Sequence, residues 1–114
     1  RIYGYQGKQV RDNIHAHDVC TAFEAFYENP RVAAVYNLGG GRANSVSVLE
    51  AISRLEAVTG RSLEVTHVDQ PRRGDHICYI SDLRRFQEDY PAWEITRTLD
   101  DILEELGRCQ MNTA

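Results

Sequence analysis

A mixed α/β fold is predicted by three observations: amphipathic segments of helical period alternate with short apolar or alternating runs, capping signals stand ahead of the helical segments, and proline or glycine marks the joints. The chain has 114 residues, enough for one domain with a modest core but short for an α/β enzyme that must hold both a dinucleotide and a substrate. It begins at Arg1 and enters strand-like sequence at once, so it reads as a piece of something longer.

In chain order, Ile2, Tyr3, Tyr5, Val10 and Ile14 predict extended structure, with Gln6-Gly7-Lys8 as a turn between two short strands. Asp18 is placed to cap a helix in which Val19, Ala22, Phe23 and Phe26 recur at i, i+3, i+4 and i+7, and Asn29-Pro30 ends it. Residues 32–38 are apolar and rich in Val, Ala and Tyr, bounded by Pro30 and Gly39-Gly40-Gly41, which predicts a buried, parallel strand. Ser47 and Glu50 have capping-box spacing before Val48, Ala51, Ile52 and Leu55, and Gly60 stands where a left-handed C-terminal residue belongs. Alternation over 62–68 predicts a strand that leads into the Pro71 loop, and a second extended run, 77–80, leaves it. Ser81 or Asp82 can cap a helix carrying Leu83, Phe86 and Tyr90, stopped by Pro91. Thr98 and Asp101 repeat the capping-box pattern before Ile102, Leu103 and Leu106. Four helices result, in one domain over 1–107, followed by a flexible tail over 108–114.

A formal net charge of -4 argues against a nucleic-acid or anionic-membrane surface, so any bound anion is small. No apolar run is long enough to span a bilayer. The three cysteines, Cys20, Cys78 and Cys109, lack paired spacing, which favours a reducing compartment and the cytoplasm.

Against that acidic background, Pro71-Arg72-Arg73-Gly74-Asp75 gathers two cations and an anion on a bend between two predicted strands. A guanidinium fork matches phosphate oxygens and a neighbouring glycine lets phosphate approach the backbone; the competing reading is a charged surface turn. Arg11, beside Asp12 in an extended segment, is either a surface ion pair or aimed at a ligand. Gly39-Gly40-Gly41 lacks the G-x-G-x-x-G spacing of a dinucleotide loop and fits a turn that needs positive φ; Asn44 and Ser45 after it can bond a ligand or their own backbone. His15, His17 and Cys20 have no second ligand pair, which discounts zinc. Cys78, His67 and His76 have no partner that sequence can assign them, and no catalytic constellation is visible.

Taken together, residues 10–18 (VRDNIHAHD), 35–41 (VYNLGGG), Asn44-Ser45 and Arg72-Arg73-Gly74-Asp75, in this order over nearly the whole chain, resemble the carboxy-terminal part of the NAD-dependent nucleotide-sugar epimerases and dehydratases, the extended short-chain dehydrogenase/reductases. The run Gly39 to Ser45, with Ser47 to Ala51, is most similar to the CDP-paratose 2-epimerase (CDP-tyvelose epimerase) branch. The resemblance implies the substrate-binding part of that fold without its Rossmann NAD-binding core. It implies that Arg11 and Arg72 grip the nucleotide diphosphate, that Asp75 contacts the ribose, and that Tyr79 lines the sugar pocket. The family's glycine motif for NAD and its Tyr-x-x-x-Lys pair have no counterpart here, since the one lysine is Lys8. The resemblance therefore implies a chain that binds a nucleotide sugar without turning it over or binding NAD by itself, with NAD and an amino-terminal Rossmann domain belonging to the full-length parent. The alternative is a non-catalytic interaction module on the same scaffold that associates with itself as a homo-oligomer.

Overall fold

The structure, a computed structural model, describes residues 1–112. Contacts divide the chain into two compact units: Arg1–Arg11, Val46–Tyr79 and the chain from Asp100 onward form the first, and Asp12–Ser45 with Ile80–Leu99 the second.

In the first unit, β1 (Ile2–Tyr3) and β2 (Val10–Asp12) are not hairpin partners. A 3-10 turn over Tyr5–Gly7, with Tyr5 and Gln6 at positive φ, separates them and sends them into different sheets. β3 (Ser45–Ser47) flanks β2 on one side. Of the strand expected over 62–68 only β4 (His67–Val68) forms, pairing parallel to β1 with Ile2 opposite His67. Upstream of it the Leu63 N–H goes to the Glu56 carboxylate instead of a ladder. β5 (Cys78–Tyr79) pairs parallel to β2, with Arg11 opposite Tyr79. Parallel pairs need long crossovers, which is why the partners lie more than sixty residues apart.

The expected capping box opens the helix that follows β3: Ser47 Oγ accepts from the Glu50 N–H, and the Glu50 carboxylate accepts from the Ser47 N–H. This helix, α2 (Val48–Thr59), is closed by left-handed Gly60 at φ 67°. The last helix, α4 (Leu99–Asn112), runs through Gly107. A Cβ there would lie 3.0 Å from Val58 Cγ1, so this glycine permits close approach to α2 instead of ending the helix. The helix thus covers 108–112 of the expected tail, and 113–114 lie outside the described residues.

In the second unit α1 (Ala16–Glu28) is capped by His15, whose Nδ1 accepts from the His17 N–H at 3.0 Å. Asp18, expected at the cap, sits inside the first turn and is fully buried. Its carboxylate accepts from the Thr96 N–H and hydroxyl and from the Arg97 N–H. A carboxylate in that position also suits the positive end of the helix dipole. α3 (Arg84–Asp89) has Leu83 as its N-cap residue, while Asp82 Oδ1 accepts from the Arg84 N–H.

The strand expected over 32–38 is absent from both sheets. Ala33 turns at φ 57°, and Val32 and Val35 are exposed. Tyr36 and Leu38 nevertheless pack on a core of Ala22, Phe86, Tyr90 and Trp93. The Phe86 ring meets Trp93 and Tyr36 edge-on at 4.9 and 5.2 Å, contacts worth about 0.5–1.5 kcal/mol each beyond their buried area.

Candidate nucleotide-phosphate site

The four residues singled out for a ligand, Arg11, Arg72, Asp75 and Tyr79, all belong to the first unit. β2 carries Arg11, whose guanidinium donates to Asp75 Oδ1 at 2.5 Å and to the His76 carbonyl at 2.6 Å. The ion pair is therefore not with neighbouring Asp12 but with a residue 64 positions away. The Arg11 side chain keeps 34% of its exposure while that of Asp75 keeps 9%, so the cation faces outward over a nearly buried anion.

A turn holds Asp75 there. Its N–H bonds to the Arg72 carbonyl at 3.1 Å, and Gly74 takes φ 81°, a left-handed value that glycine adopts without strain. Before the turn, Pro71 lies flat on Gly4, where a Cβ would stand 2.5 Å from the Pro71 Cβ. The Tyr5 hydroxyl donates to the Asp75 carbonyl at 3.4 Å. Arg72 and Arg73 project from the turn, both exposed and in no ion pair among the described residues. Tyr79 stands opposite Arg11 in the β2–β5 ladder, half-exposed, with its ring 6.0 Å from that of His76.

Three arginines around one aspartate leave local positive charge on an acidic protein, which suits an anion. Asp75 Oδ2 adds a second demand: it is buried and has no hydrogen-bond partner. An orphaned buried acceptor costs about 1–3 kcal/mol, a cost that a ligand hydroxyl would offset. Sequence proximity could not reveal the Arg11–Asp75 pair, because only the β2–β5 crossover brings them together.

The glycine loop has a different use. Asp12 Oδ2 accepts from the Gly41 N–H at 3.0 Å and from the Ser81 N–H at 2.9 Å. A Cβ at Gly40 would lie 1.9 Å from the Asn13 carbonyl oxygen. With its Gly41 donor spent and its space filled by protein, the loop does not fit the phosphates of a dinucleotide. Asn44 is buried, donating to the Arg97 carbonyl and accepting from the Leu99 N–H, and Ser45 donates to the Arg42 carbonyl. Both bond their own chain. Asp18 was expected as a helix cap and Asn44 as a bond to a ligand or to its own backbone; the distant partners that make these two and Asp12 anchors lie beyond what sequence spacing reveals. Among the described residues no cluster of three or more His, Cys, Asp or Glu could hold a metal, and no helix is long and apolar enough to cross a membrane.

No family model matches the chain. It is 37% identical over 106 residues to a UDP-glucose 4-epimerase of Neisseria gonorrhoeae, covering 90% of this chain and 30% of that protein. A CDP-paratose 2-epimerase of Salmonella typhi is 31% identical over 81 residues, 69% of this chain and 24% of that protein. The crystal structure of a UDP-glucose 4-epimerase with UDP-glucose from Thermotoga maritima superposes with a TM-score of 0.81 at 27% identity, covering 98% of this chain and 34% of that one. The chain therefore spans about a third or less of the length of the proteins it resembles.

Proposed function

We propose that this chain, a relative of the carboxy-terminal part of the NAD-dependent nucleotide-sugar epimerases and dehydratases, is the part that grips the nucleotide diphosphate of a sugar substrate. In this reading Arg11 and Arg72 hold the diphosphate, Asp75 accepts a ribose hydroxyl through Oδ2, and Tyr79 bounds the sugar. The observation that carries it is the Arg11–Asp75 pair beside the unpaired Arg72, which offers donors for phosphate and a spare acceptor for a hydroxyl within one turn. Arginine suits the task because its planar fork meets two phosphate oxygens at once.

The finer reading is a CDP sugar, from the pattern of Gly39 to Ser45 and the relationship to a CDP-paratose 2-epimerase; the UDP-glucose 4-epimerases are the competing model. Hydride chemistry needs NAD and an acid–base tyrosine. Both lie, on this proposal, in the portion of the relatives that this chain does not span, so it binds without turning over.

Isothermal titration with CDP, UDP and inorganic pyrophosphate tests the reading. Affinity is expected to fall with rising salt and by about tenfold on Arg72→Ala, the lower end for one charge-assisted bond at an exposed site. A tighter fit for CDP than UDP supports the finer assignment. Absence of heat with every one of them, or an Arg72→Ala variant that binds as tightly as the parent, refutes the grip.

A further inference from the structure

Four consecutive residues after β1, Gly4, Tyr5, Gln6 and Gly7, hold φ at 65°, 47°, 54° and 75°. Glycine takes such values freely, but a bulky aromatic residue there strains its backbone. The turn's own hydrogen bonding does not call for a tyrosine: the Lys8 N–H bonds to the Tyr5 carbonyl, which any residue supplies. Backbone strain of this kind persists where the surroundings over-determine it, and ligand clamps are among the places where it collects. The phenol supplies the reason here, because its hydroxyl donates to the Asp75 carbonyl at 3.4 Å.

We propose that Tyr5 is a positioning residue for Asp75, fixing the peptide that carries the carboxylate so that Oδ2 meets a ribose hydroxyl; the inference rests on the role given to Asp75 under the proposed function. Two neighbouring residues of this strained loop hold the two ends of the candidate turn. Gly4 lies under Pro71, where a Cβ would stand 2.5 Å from the Pro71 Cβ, and Tyr5 holds Asp75. Between those ends Gly74 stands at φ 81° with nothing within 4 Å of where its Cβ would be, so the chain can pivot there when one end is released. Arg11 also holds Asp75 Oδ1 and the His76 carbonyl. Its guanidinium is shared with the diphosphate in the proposed reading, whereas a bound ligand makes no call on the bond from Tyr5.

Isothermal titration of the parent and of Tyr5→Phe with CDP and with 2′,3′-dideoxy-CDP tests this role. The dideoxy compound keeps the base and both phosphates but offers Asp75 no ribose hydroxyl, so the parent is expected to bind CDP more tightly. Tyr5→Phe should weaken CDP by about fivefold, the loss of one neutral hydrogen bond, and leave the dideoxy compound within about twofold. Discrimination between the two ligands then collapses while a thermal melt matches the parent's. Gln6→Gly, in the same strained stretch but with no hydrogen bond to the turn among the described residues, should bind both ligands as the parent does. Equal loss for CDP and the dideoxy compound, or no loss for CDP, overturns the role of Tyr5 and leaves the phosphate grip standing. A parent that binds the two ligands equally removes the ribose contact of Asp75, and one that binds neither removes the grip itself; each overturns the inference at an earlier step, seen before any variant is made.

Discussion

Asp18→Asn is the substitution whose cost the structure fixes most closely. The native side chain has no exposed surface. One carboxylate oxygen accepts the Thr96 N–H at 3.1 Å and hydroxyl at 2.6 Å, and the other accepts the Arg97 N–H at 3.0 Å. Asparagine keeps the shape but places an NH2 against one of those donors and removes the charge that strengthens the rest. A hydrogen bond to a charged group is worth about 1.5–3 kcal/mol and a neutral one about 1 kcal/mol, so losing one bond and weakening two should cost about 3 kcal/mol. The pH dependence follows. Burial acts to raise the Asp18 pKa, but the bonds from Thr96 and Arg97 and the charge of His17 outweigh it and hold the folded value below the ordinary 3.8. A depressed carboxylate pKa contributes stability that is fully present above the unfolded value and is lost as pH falls through the folded one. Urea denaturation followed by the fluorescence of Trp93, whose indole N–H donates to the Asp18 carbonyl, should show the full deficit at pH 7 and a narrowing gap below pH 4. A deficit under about 1 kcal/mol at neutral pH, or one that stays constant to pH 3, would show that the carboxylate does not anchor this loop.

Gly40→Ala should destabilise by about 2–4 kcal/mol, as overpacking does where backbone must move, because the new methyl would collide with the Asn13 carbonyl. Gly74→Ala, in open space but at φ 81°, should lose only about 1 kcal/mol from left-handed strain; thermal melts that rank the two equally would contradict this. The Tyr36 phenol is pushed up to about 12 by burial and by its bond to Asp89. Its raised pKa adds stability that is complete below pH 10, the ordinary value, and is lost as pH climbs toward 12. Tyr36→Phe should therefore flatten the alkaline side of the stability profile, and an unchanged profile would rule the phenol out.

Much of the fold was legible because its signals are local. The Ser47–Glu50 box and Gly60 place both ends of α2 by bonds that span three or four residues. Asn29 before Pro30 ends α1 for the same kind of reason. Failures came where a distant partner decides. Asp18 had cap-like spacing, yet donors 78 and 79 residues away drew it inward and left the cap to His15. Gly107 looks like a helix stop until Val58 is seen against it. At the candidate site, residue types pointed to Arg11, Arg72, Asp75 and Tyr79, but the ion pair and the Arg11–Tyr79 register exist only through the crossover from β2 to β5.

Carboxylates that look alike in the sequence divide into two kinds once their oxygens are followed. Asp18 uses both oxygens on Thr96 and Arg97, and Asp12 spends Oδ2 on two backbone N–H groups that brace the glycine loop. Asp75 accepts from Arg11 with one oxygen and leaves the other buried and unpartnered. A purely structural carboxylate in its place should satisfy both oxygens, because an unmet acceptor costs about as much as a good bond supplies. Gln9 shows the alternative: its Oε1 is also unpartnered, but its amide Nε2 donates to the Tyr3 carbonyl and its side chain carries no charge. Among the described residues, charge, a spare acceptor and two arginines in no ion pair coincide at the Pro71–Asp75 turn. That coincidence, more than the count of arginines, is what makes the turn a place to hold a phosphate that carries a hydroxylated group beside it.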